Sequence, residues 1–456
     1  MAILKKIEIR DFRGFFNKQT ITFAIPDKKN KSSGLTLIVG PNNTGKTTTI
    51  EALLLNESKK ITEAERHKNK QVKITITSDN GSCTYTSTEQ GSQINKDGKH
   101  NVKFECVQSR RNWQSHSNAT WDITNFAEQS IIANMRNSTL DTPAVLHSIN
   151  KNQEEKDKFN LLMKKLVPDF SNWTIETSPQ GDDYVKYLTG SQEHQANFLG
   201  DGVISLFRIC AHLVGQLNDR VLLIDEPELS LHPTTQKALA HLLSKKAYDR
   251  QIILCTNSPY FAKWENFVHG AKFIRLNKTS NNHCKVFSLD NNKTYKTDIA
   301  KQLMNWQKPQ LLDTVAKEIL FSEKILFVEG QEDVGLIKKW LKKQDEDELF
   351  DIFGYGVGGY GNMESFLEIA QDLGLPKVAV LYDNGINTFS KYDTNRKLYS
   401  TYHFEILPTP DIRDKIDDKT GERIKEGIFD THGDLEDVYK SEFENIMNEI
   451  INYFKS

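Results

Sequence analysis

Gly40-Pro41-Asn42-Asn43-Thr44-Gly45-Lys46-Thr47 satisfies every fixed position of the pattern GxxxxGK[ST]. An apolar run, residues 35–39, precedes it, and a helix-like stretch, residues 47–55, follows. The chemistry this permits is the cradling of a triphosphate. Glycines let backbone N–H groups close around phosphate oxygens, and the start of a helix adds the positive end of its dipole. Lys46 is expected to reach the β- and γ-phosphates, and the Thr47 hydroxyl to hold Mg2+. Gly40, Asn42, Asn43, Thr44, Gly45 and Thr48 complete the expected nucleotide-binding set. Far downstream, Val221-Leu222-Leu223-Ile224-Asp225-Glu226 is an apolar strand ending in two carboxylates. Asp225 is expected to hold Mg2+, and Glu226 to polarise an attacking water. ATP and Mg2+ are the cofactors these pieces call for.

A second acidic constellation lies toward the C-terminus. Ile325-Leu326-Phe327-Val328-Glu329-Gly330 is an apolar strand ending in a glutamate and a glycine turn, with Asp333 early in the next helix. Val378-Ala379-Val380-Leu381-Tyr382-Asp383-Asn384-Gly385 repeats the theme. In a parallel sheet both acids emerge at the same edge, where α/β folds place their sites. Hard oxygen ligands gathered there suit Mg2+ or Mn2+.

The elements that must position these residues follow from periodicity. Residues 3–10 alternate apolar and polar, as a half-buried strand does. Residues 72–78, 83–88 and 102–108 read as strands separated by Asp-Asn-Gly and Lys-Asp-Gly turns. Strand signals fade over 125–170, where 131–135 and 155–166 look helical. An α/β rhythm returns from Phe198, with helices at 203–217 and 234–245 and strands at 221–224, 251–255, 272–276 and 284–289. Residues 290–318 read as a polar, helical linker, and a new α/β unit with strands at 325–328, 352–356 and 378–382 begins near Lys324.

The domain boundaries read from this pass are five. Residues 1–124 form the first part of an ATPase, 125–195 a helical insertion, 196–300 the second part of the ATPase, 301–320 a linker and 321–456 a C-terminal domain. The fold class expected is α/β, a P-loop ATPase head followed by a Rossmann-like domain. The insertion carries its own apolar positions, Ile131, Ile132, Phe159, Leu161 and Leu162. They are expected to pack against a second copy and give a homodimer or a higher homo-oligomer.

Composition narrows the class. Of 456 residues 38% are hydrophobic and 26% charged, with a net charge of −2, which neither requires nor excludes nucleic acid. No apolar run approaches a membrane span, and the N-terminus enters a strand pattern without a signal-peptide layout, so a cytoplasmic location with no membrane partner is expected. Cys83, Cys106, Cys210, Cys255 and Cys284 are scattered, without a CxxC pair, and read as small buried thiols.

With these pieces in place, the chain resembles the ABC-type ATPases of the SMC and OLD (overcoming lysogenization defect) kind. The long gap between Asp225 and the phosphate loop is similar to theirs, and residues 7–15 resemble their N-terminal strand and turn. That turn brings Arg13 into the expected nucleotide-binding set. Gly200-Asp201-Gly202, before the helix leading to Asp225, stands where the ABC signature belongs, so the resemblance implies that it closes over the γ-phosphate of another subunit. Ser230-Leu231-His232-Pro233 stands where the D-loop belongs. Such ATPases usually carry a histidine where this chain has Asn257, which hydrogen-bonds a γ-phosphate but carries no charge; slow turnover is the expectation. Gln108 reads either as a Q-loop ligand to Mg2+ or as a solvent-facing glutamine, and Arg110 or Arg111 as a phosphate contact.

The C-terminal unit resembles the Toprim domain that follows the ATPase in OLD-family nucleases. The usual DxD is here Asp383-Asn384-Gly385, lacking the second acid. The resemblance makes Asp434 and Glu436 the late acidic pair of the metal site, and Lys440 or Lys455 the C-terminal catalytic lysine. It implies an ATP-regulated, divalent-metal-dependent DNA endonuclease of bacterial anti-phage defence, with Glu329 and Asp383 catalytic. Implied partners are DNA as substrate, and a defence partner such as a retron reverse transcriptase with its RNA–DNA hybrid or a helicase-like protein. A different class remains open: an ATP-switched scaffold whose Toprim half no longer cuts. An SMC-like repair protein is disfavoured, because no long heptad run separates the two ATPase motifs.

Overall fold

The structure, a computed structural model, describes residues 2–55, 61, 65–67, 70–88, 93–107, 142–177, 183–190, 192–195, 201–214, 219–279, 281–289, 315–417 and 419–456. Gln108, Arg110, Arg111, Ile131, Ile132 and Gly200 lie outside the described residues, as do the expected helix 131–135 and most of the expected linker. The chain divides into two compact units, Met1–Asn291 and Asn292–Ser456.

In the first unit, β1 (Leu4–Arg10), β2 (Gln19–Thr22) and β3 (Leu35–Val39) lead into α1 (Lys46–Leu53). Strands β4 (Lys73–Ser78), β5 (Gly81–Ser87), β6 (Ile94–Gly98) and β7 (Phe104–Val107) follow. Helices α2 (Thr142–Lys151) and α3 (Gln153–Leu166) precede β8 (Phe170–Thr177), β9 (Asp183–Thr189) and β10 (Gln192–Gln195). Then come α4 (Asp201–Val214), β11 (Val221–Asp225), α5 (Pro233–Lys246), β12 (Ile252–Cys255), the short α6 (Trp264–Val268), β13 (Lys272–Lys278) and β14 (Cys284–Leu289).

Two sheets share a core. One is six-stranded, in the order β14-β13-β3-β12-β11-β7, with β13, β3, β12, β11 and β7 parallel. Every residue of β3 and β11 is buried, which is why both read as unbroken apolar runs: a parallel sheet is covered on both faces. The other is antiparallel, in the order β2-β1-β4-β5-β6. Its strands alternate because only one face is buried; Ile7 and Ile9 of β1 meet Ile74 and Ile76 of β4 and pack with Leu53, Leu223 and Ile253. Parallel neighbours end at the same edge, so β3, β11 and β12 deliver Gly40, Asp225 and Thr256 to one place.

The reading of 125–195 as a helical insertion needs correction. Its described part is two helices followed by a three-stranded antiparallel sheet, β10-β9-β8. Phe170, Trp173, Val185 and Tyr187 form the buried face of that sheet. Trp173 and Phe207 of α4 both meet Phe159 of α3, at ring-centroid distances of 5.1 and 5.3 Å. Phe159 and Leu162 are therefore covered by their own chain and are no interface for a second copy; Leu161 is 57% exposed.

The second unit runs β15 (Lys324–Phe327), α7 (Gln331–Lys343), β16 (Asp351–Ile352), α8 (Tyr360–Asp372), β17 (Lys377–Tyr382), α9 (Thr388–Leu398) and β18 (His403–Ile406). Short strands β19 (Asp411–Arg413), β20 (Lys415–Ile416), β21 (Arg423–Lys425) and β22 (Gly427–Phe429) lead to α10 (Asp437–Lys455). The main sheet is parallel, in the order β16-β15-β17-β18. Strand β16 stops after two residues, shorter than the expected 352–356, because the chain turns through Gly354 and Gly356 at φ 46° and 76°. Val334, Ile337 and Trp340 of α7 and Phe443, Ile450 and Phe454 of α10 share a core with Leu326, Ala379 and Leu381 of the sheet. The architecture is a P-loop ATPase fold followed by a Rossmann-like α/β domain. No helix among the described residues is long and apolar enough to cross a membrane.

Candidate functional site

The first candidate site stands at the shared edge of β3, β11 and β12. Gly40 takes up the end of β3 at φ 146°, and a Cβ there would lie 2.2 Å from the Leu276 carbonyl oxygen; no other residue fits this turn. Lys46 folds back over the loop, with Nζ donating to the carbonyls of Gly40 and Pro41 at 2.7 and 2.9 Å. Its side chain is buried, and burial holds its pKa below the usual lysine value. The Thr44 hydroxyl donates to the Pro41 carbonyl at 2.8 Å. Asn42 and Asn43 are exposed, and Thr48 is half-buried on α1. The Thr47 hydroxyl donates to Asp225 Oδ2 at 3.0 Å, joining the two motifs as a shared Mg2+ site requires.

Beyond Asp225 the backbone reverses through Glu226 in the left-handed region, at φ 48°. Its N–H donates to the Cys255 carbonyl at 2.8 Å. Asn257 presents its side-chain amide to Glu226 Oε1 at 3.3 Å. Glu228, to which no role was assigned from sequence, holds this arrangement. Its Oε1 accepts from the Asn257 N–H at 2.6 Å, and its Oε2 from the Thr256 hydroxyl at 2.7 Å. Burial raises the Glu228 pKa, and those two bonds oppose the rise. Ser230, at φ 58°, turns the following loop against the start of α4: a Cβ on Gly202 would stand 2.3 Å from its carbonyl oxygen. Asp201 is the first residue of that helix.

Arg13 is placed otherwise than the resemblance implies. Its guanidinium is held between Glu51 and Glu65, the latter at 2.6 Å, so both of its terminal nitrogens are paired with carboxylates of its own chain. Burial pushes the Glu51 pKa up to about 7 against the opposing pull of Arg13. A second network that pattern reading missed lies deeper. Glu105 of β7 accepts from Arg250 at 2.6 Å and bonds His212 of α4, while Arg250 Nη1 donates to the His212 carbonyl at 2.5 Å. All three side chains are buried, and they tie α4 to the central sheet.

The second candidate site is at the C-terminal edge of β15 and β17. Glu329 Oε1 accepts from the Asp383 N–H at 3.1 Å, and Oε2 from the Tyr360 N–H at the start of α8 at 3.2 Å. The Glu329 carbonyl accepts from Gly358 and Gly359 at 2.9 and 2.8 Å. Asp333 Oδ2 accepts from the Gly330 N–H at 2.5 Å. A fourth acid joins them, Asp411, which the sequence reading passed over because it lies beyond two prolines rather than at a strand end. Asn384 brings it in: its N–H donates to the Thr409 carbonyl at 2.9 Å and its amide to the Pro408 carbonyl at 3.4 Å. Asn384 is thus committed to backbone carbonyls.

Electrostatics single out this cluster. Burial first, and then the charges of Asp333, Glu329 and Asp411, push the Asp383 pKa up to about 9. Asp333 is pushed up to about 7, by burial and by Glu329, Asp411 and Glu332. Glu329 is raised by burial, against two backbone bonds that favour its charge. Lys415 and Lys425 reach Asp411 at 2.7 and 3.4 Å. Carboxylates crowded to this degree fit a divalent cation, which would relieve their repulsion.

Asp434 and Glu436 are not brought into this cluster. Asp434 is exposed and faces Lys339 at 3.5 Å, and Glu436, at the residue before α10, faces Arg423 at 3.3 Å. Lys440 lines a groove of about 330 Å³ with Lys339, Lys343 and Asp434, and none of the four clustered acids lines it. Lys455, the other candidate lysine, pairs with Glu346.

Comparison with known proteins finds ATPase-domain and TOPRIM-domain families along the chain. Residues 1–162 match the AAA ATPase domain family, and residues 110–263 match an AAA domain family described as putative AbiEii toxin, type IV TA system. Residues 320–384 match the overcoming lysogenization defect protein-like TOPRIM domain. Endonuclease GajA of Bacillus cereus (strain HuB5-5) is 25% identical over 67% of this chain and 49% of its own length. The OLD nuclease of Thermus scotoductus (strain ATCC 700910 / SA-01) is 27% identical over 39% of this chain and 33% of its own. The Old nuclease of Escherichia phage P2 is 29% identical over 36% of this chain and 28% of its own. The chain thus spans about half the length, or less, of the curated relatives it matches.

Proposed function

We propose, from the premise that this chain is an OLD-family protein joining an AAA-type ATPase domain to a Toprim domain, that it is an ATP-regulated, divalent-metal-dependent DNA endonuclease of anti-phage defence. The observation that carries the reading is the gathering of Glu329, Asp333, Asp383 and Asp411 at one sheet edge, where burial and the neighbouring carboxylates raise the pKa values of Glu329, Asp333 and Asp383. Acids held in that state are a site prepared for cations. Divalent ions bound there would supply Lewis-acid stabilisation of the attacking and leaving oxygens of a phosphodiester.

The chain's own residues do the rest. Glu329 and Asp383 are the principal ligands, fixed by the Tyr360 and Asp383 N–H groups; Asp333 and Asp411 complete the set. Lys415 and Lys425 balance part of the negative charge beside incoming phosphates. In the ATPase unit, Lys46, Thr47 and Asp225 bind the nucleotide phosphates and Mg2+, and Glu226 orients water with Asn257 beside it. With Asn257 uncharged, hydrolysis is slow and ATP acts mainly as a clamp. It closes two heads, the Gly200–Gly202 signature of one over the γ-phosphate held by the other, in a cytoplasmic homodimer or larger assembly.

The decisive experiment is cleavage of supercoiled plasmid in Mg2+ and in Mn2+, with and without ATP. Metal-dependent nicking or linearisation that disappears in Asp383→Ala supports the reading. No cleavage under any combination favours the scaffold alternative, for which the commitment of Asn384 to backbone carbonyls is the supporting observation.

A further inference from the structure

A second group of ligating side chains lies in the Toprim unit, away from the four acids. His403 opens the edge strand β18, and Glu405, two residues on, projects from the same face. Helix α10 lays Glu449 and Tyr453, one turn apart, along that face. The Tyr453 ring stacks on the imidazole, with centroids 5.2 Å apart and an interplanar angle of 20°, which fixes the ring's orientation. His403 Nε2 lies 3.0 Å from Glu405 Oε1, yet it is enclosed and makes no hydrogen bond. One ligand atom from each of His403, Glu405 and Glu449 lies within 4.8 Å of the other two.

Three features distinguish this group from a chance surface cluster. An enclosed imidazole nitrogen without a hydrogen bond, facing a carboxylate, is costly unless something bridges the two. Glu449 is exposed on its helix, so its carboxylate is free to adjust its rotamer, and its ligand oxygen already lies within 4.8 Å of those of His403 and Glu405. The nearby cation, Lys377, is committed elsewhere: its Nζ donates to the Tyr453 carbonyl at 3.0 Å and lies over the Tyr453 ring, 5.7 Å from its centroid.

We infer that His403, Glu405 and Glu449 bind one first-row divalent cation, Zn2+ or Mn2+, which pins the C-terminal helix to the edge strand. One imidazole with two carboxylates suits such ions better than Ca2+ or Mg2+, which take oxygen ligands alone. The site is separate from the acids. His403 pairs with Ala379 near the start of β17, whereas Asp383 follows that strand's far end. Its role is structural, and it stands whether or not the acid cluster cuts DNA.

The test uses the full chain in an Asp333→Asn/Asp383→Asn background, which silences the acid cluster. Zn2+ titration by calorimetry should show one binding event per chain that disappears in His403→Ala and in Glu449→Gln. Zn2+ should raise the thermal midpoint of the background protein and leave that of the His403→Ala protein unchanged. Pulsed electron paramagnetic resonance of bound Mn2+ should show coupling to an imidazole nitrogen, which all-oxygen ligation cannot produce. Should His403→Ala fail to fold, the nitrogen coupling in the background protein decides alone. Zn2+ affinity unaltered by His403→Ala, or Mn2+ bound without nitrogen coupling, overturns the proposal.

Discussion

The backbone N–H of Asp383 donates to Oε1 of Glu329 at 3.1 Å, so the acid ending one strand is held by the first residue beyond its parallel neighbour. Glu329→Gln and Asp383→Asn should each lower DNA cleavage by at least ~100-fold, as loss of a metal ligand or its immediate support does. Asp411→Asn should fall in the same range. Glu436→Gln should cut nearly as well as the parent, because Glu436 faces Arg423 instead. Plasmid nicking rates for the four variants, with ATP binding measured in parallel, check this ordering.

The acid cluster sets a pH dependence. A carboxyl whose folded pKa lies above its unfolded value binds its proton more tightly when folded. That stability is complete below the unfolded pKa and is lost as pH rises toward the folded one. For Asp383 the window runs from 3.8 to about 9, and for Asp333 from 3.8 to about 7. In chelator the thermal midpoint should therefore fall as pH is raised from about 6 to about 9. Asp383→Asn should flatten that slope, and saturating Mn2+ should do the same. A metal-free midpoint that rises across this range would contradict the assignment.

Lys46 is buried against the Gly40 and Pro41 carbonyls, and on the proposed function it exchanges them for phosphate oxygens when ATP binds. Lys46→Ala removes the principal charge on the β- and γ-phosphates. ATP affinity should drop by at least ~10-fold in calorimetry, equivalent to about 1.4 kcal/mol. Every ATP-dependent change in nuclease activity should vanish with it.

A chain of contacts runs from Glu228 through Asn257 to Glu226, and on the proposed function hydrolysis depends on it. Glu226→Gln should slow single-turnover hydrolysis by ~100-fold or more while ATP binding persists. Glu228→Gln leaves the size unchanged but weakens both bonds that seat Thr256 and Asn257, so its effect should be smaller and confined to turnover. Fast multiple turnover that survives Asn257→Ala would remove Asn257 from the site.

Trp173 is fully buried against Phe159 and Phe207, where the insertion meets α4. Trp173→Ala should destabilise the ATPase unit by about 3–5 kcal/mol in denaturant unfolding, the usual range for deleting a large aromatic from a core. Leu161→Glu, at an exposed position of the same insertion, should leave stability near the parent value. If sedimentation shows Leu161→Glu dissociating an assembly, the insertion is an interface after all.

Pattern alone makes legible the parts whose logic is local. The phosphate loop is eight consecutive residues whose glycines and lysine act through backbone geometry nearby, so a pattern suffices to find it. The apolar runs ending in Asp225, Glu329 and Asp383 were equally legible, because a strand buried on both faces has no polar positions until it emerges. Long-range packing settles what depends on distant segments. Asp411 joins the acids because Asn384 binds the Thr409 and Pro408 carbonyls, a contact with no sequence period. Asp434 and Glu436, adjacent in pattern, are drawn aside by Lys339 and Arg423. Arg13 is claimed by Glu51 and Glu65, and the insertion's aromatic residues by Phe207. Motifs carry the chemistry a segment can perform; which charges and rings share a space follows from long-range packing, where each side chain takes the nearest partner that offsets its desolvation.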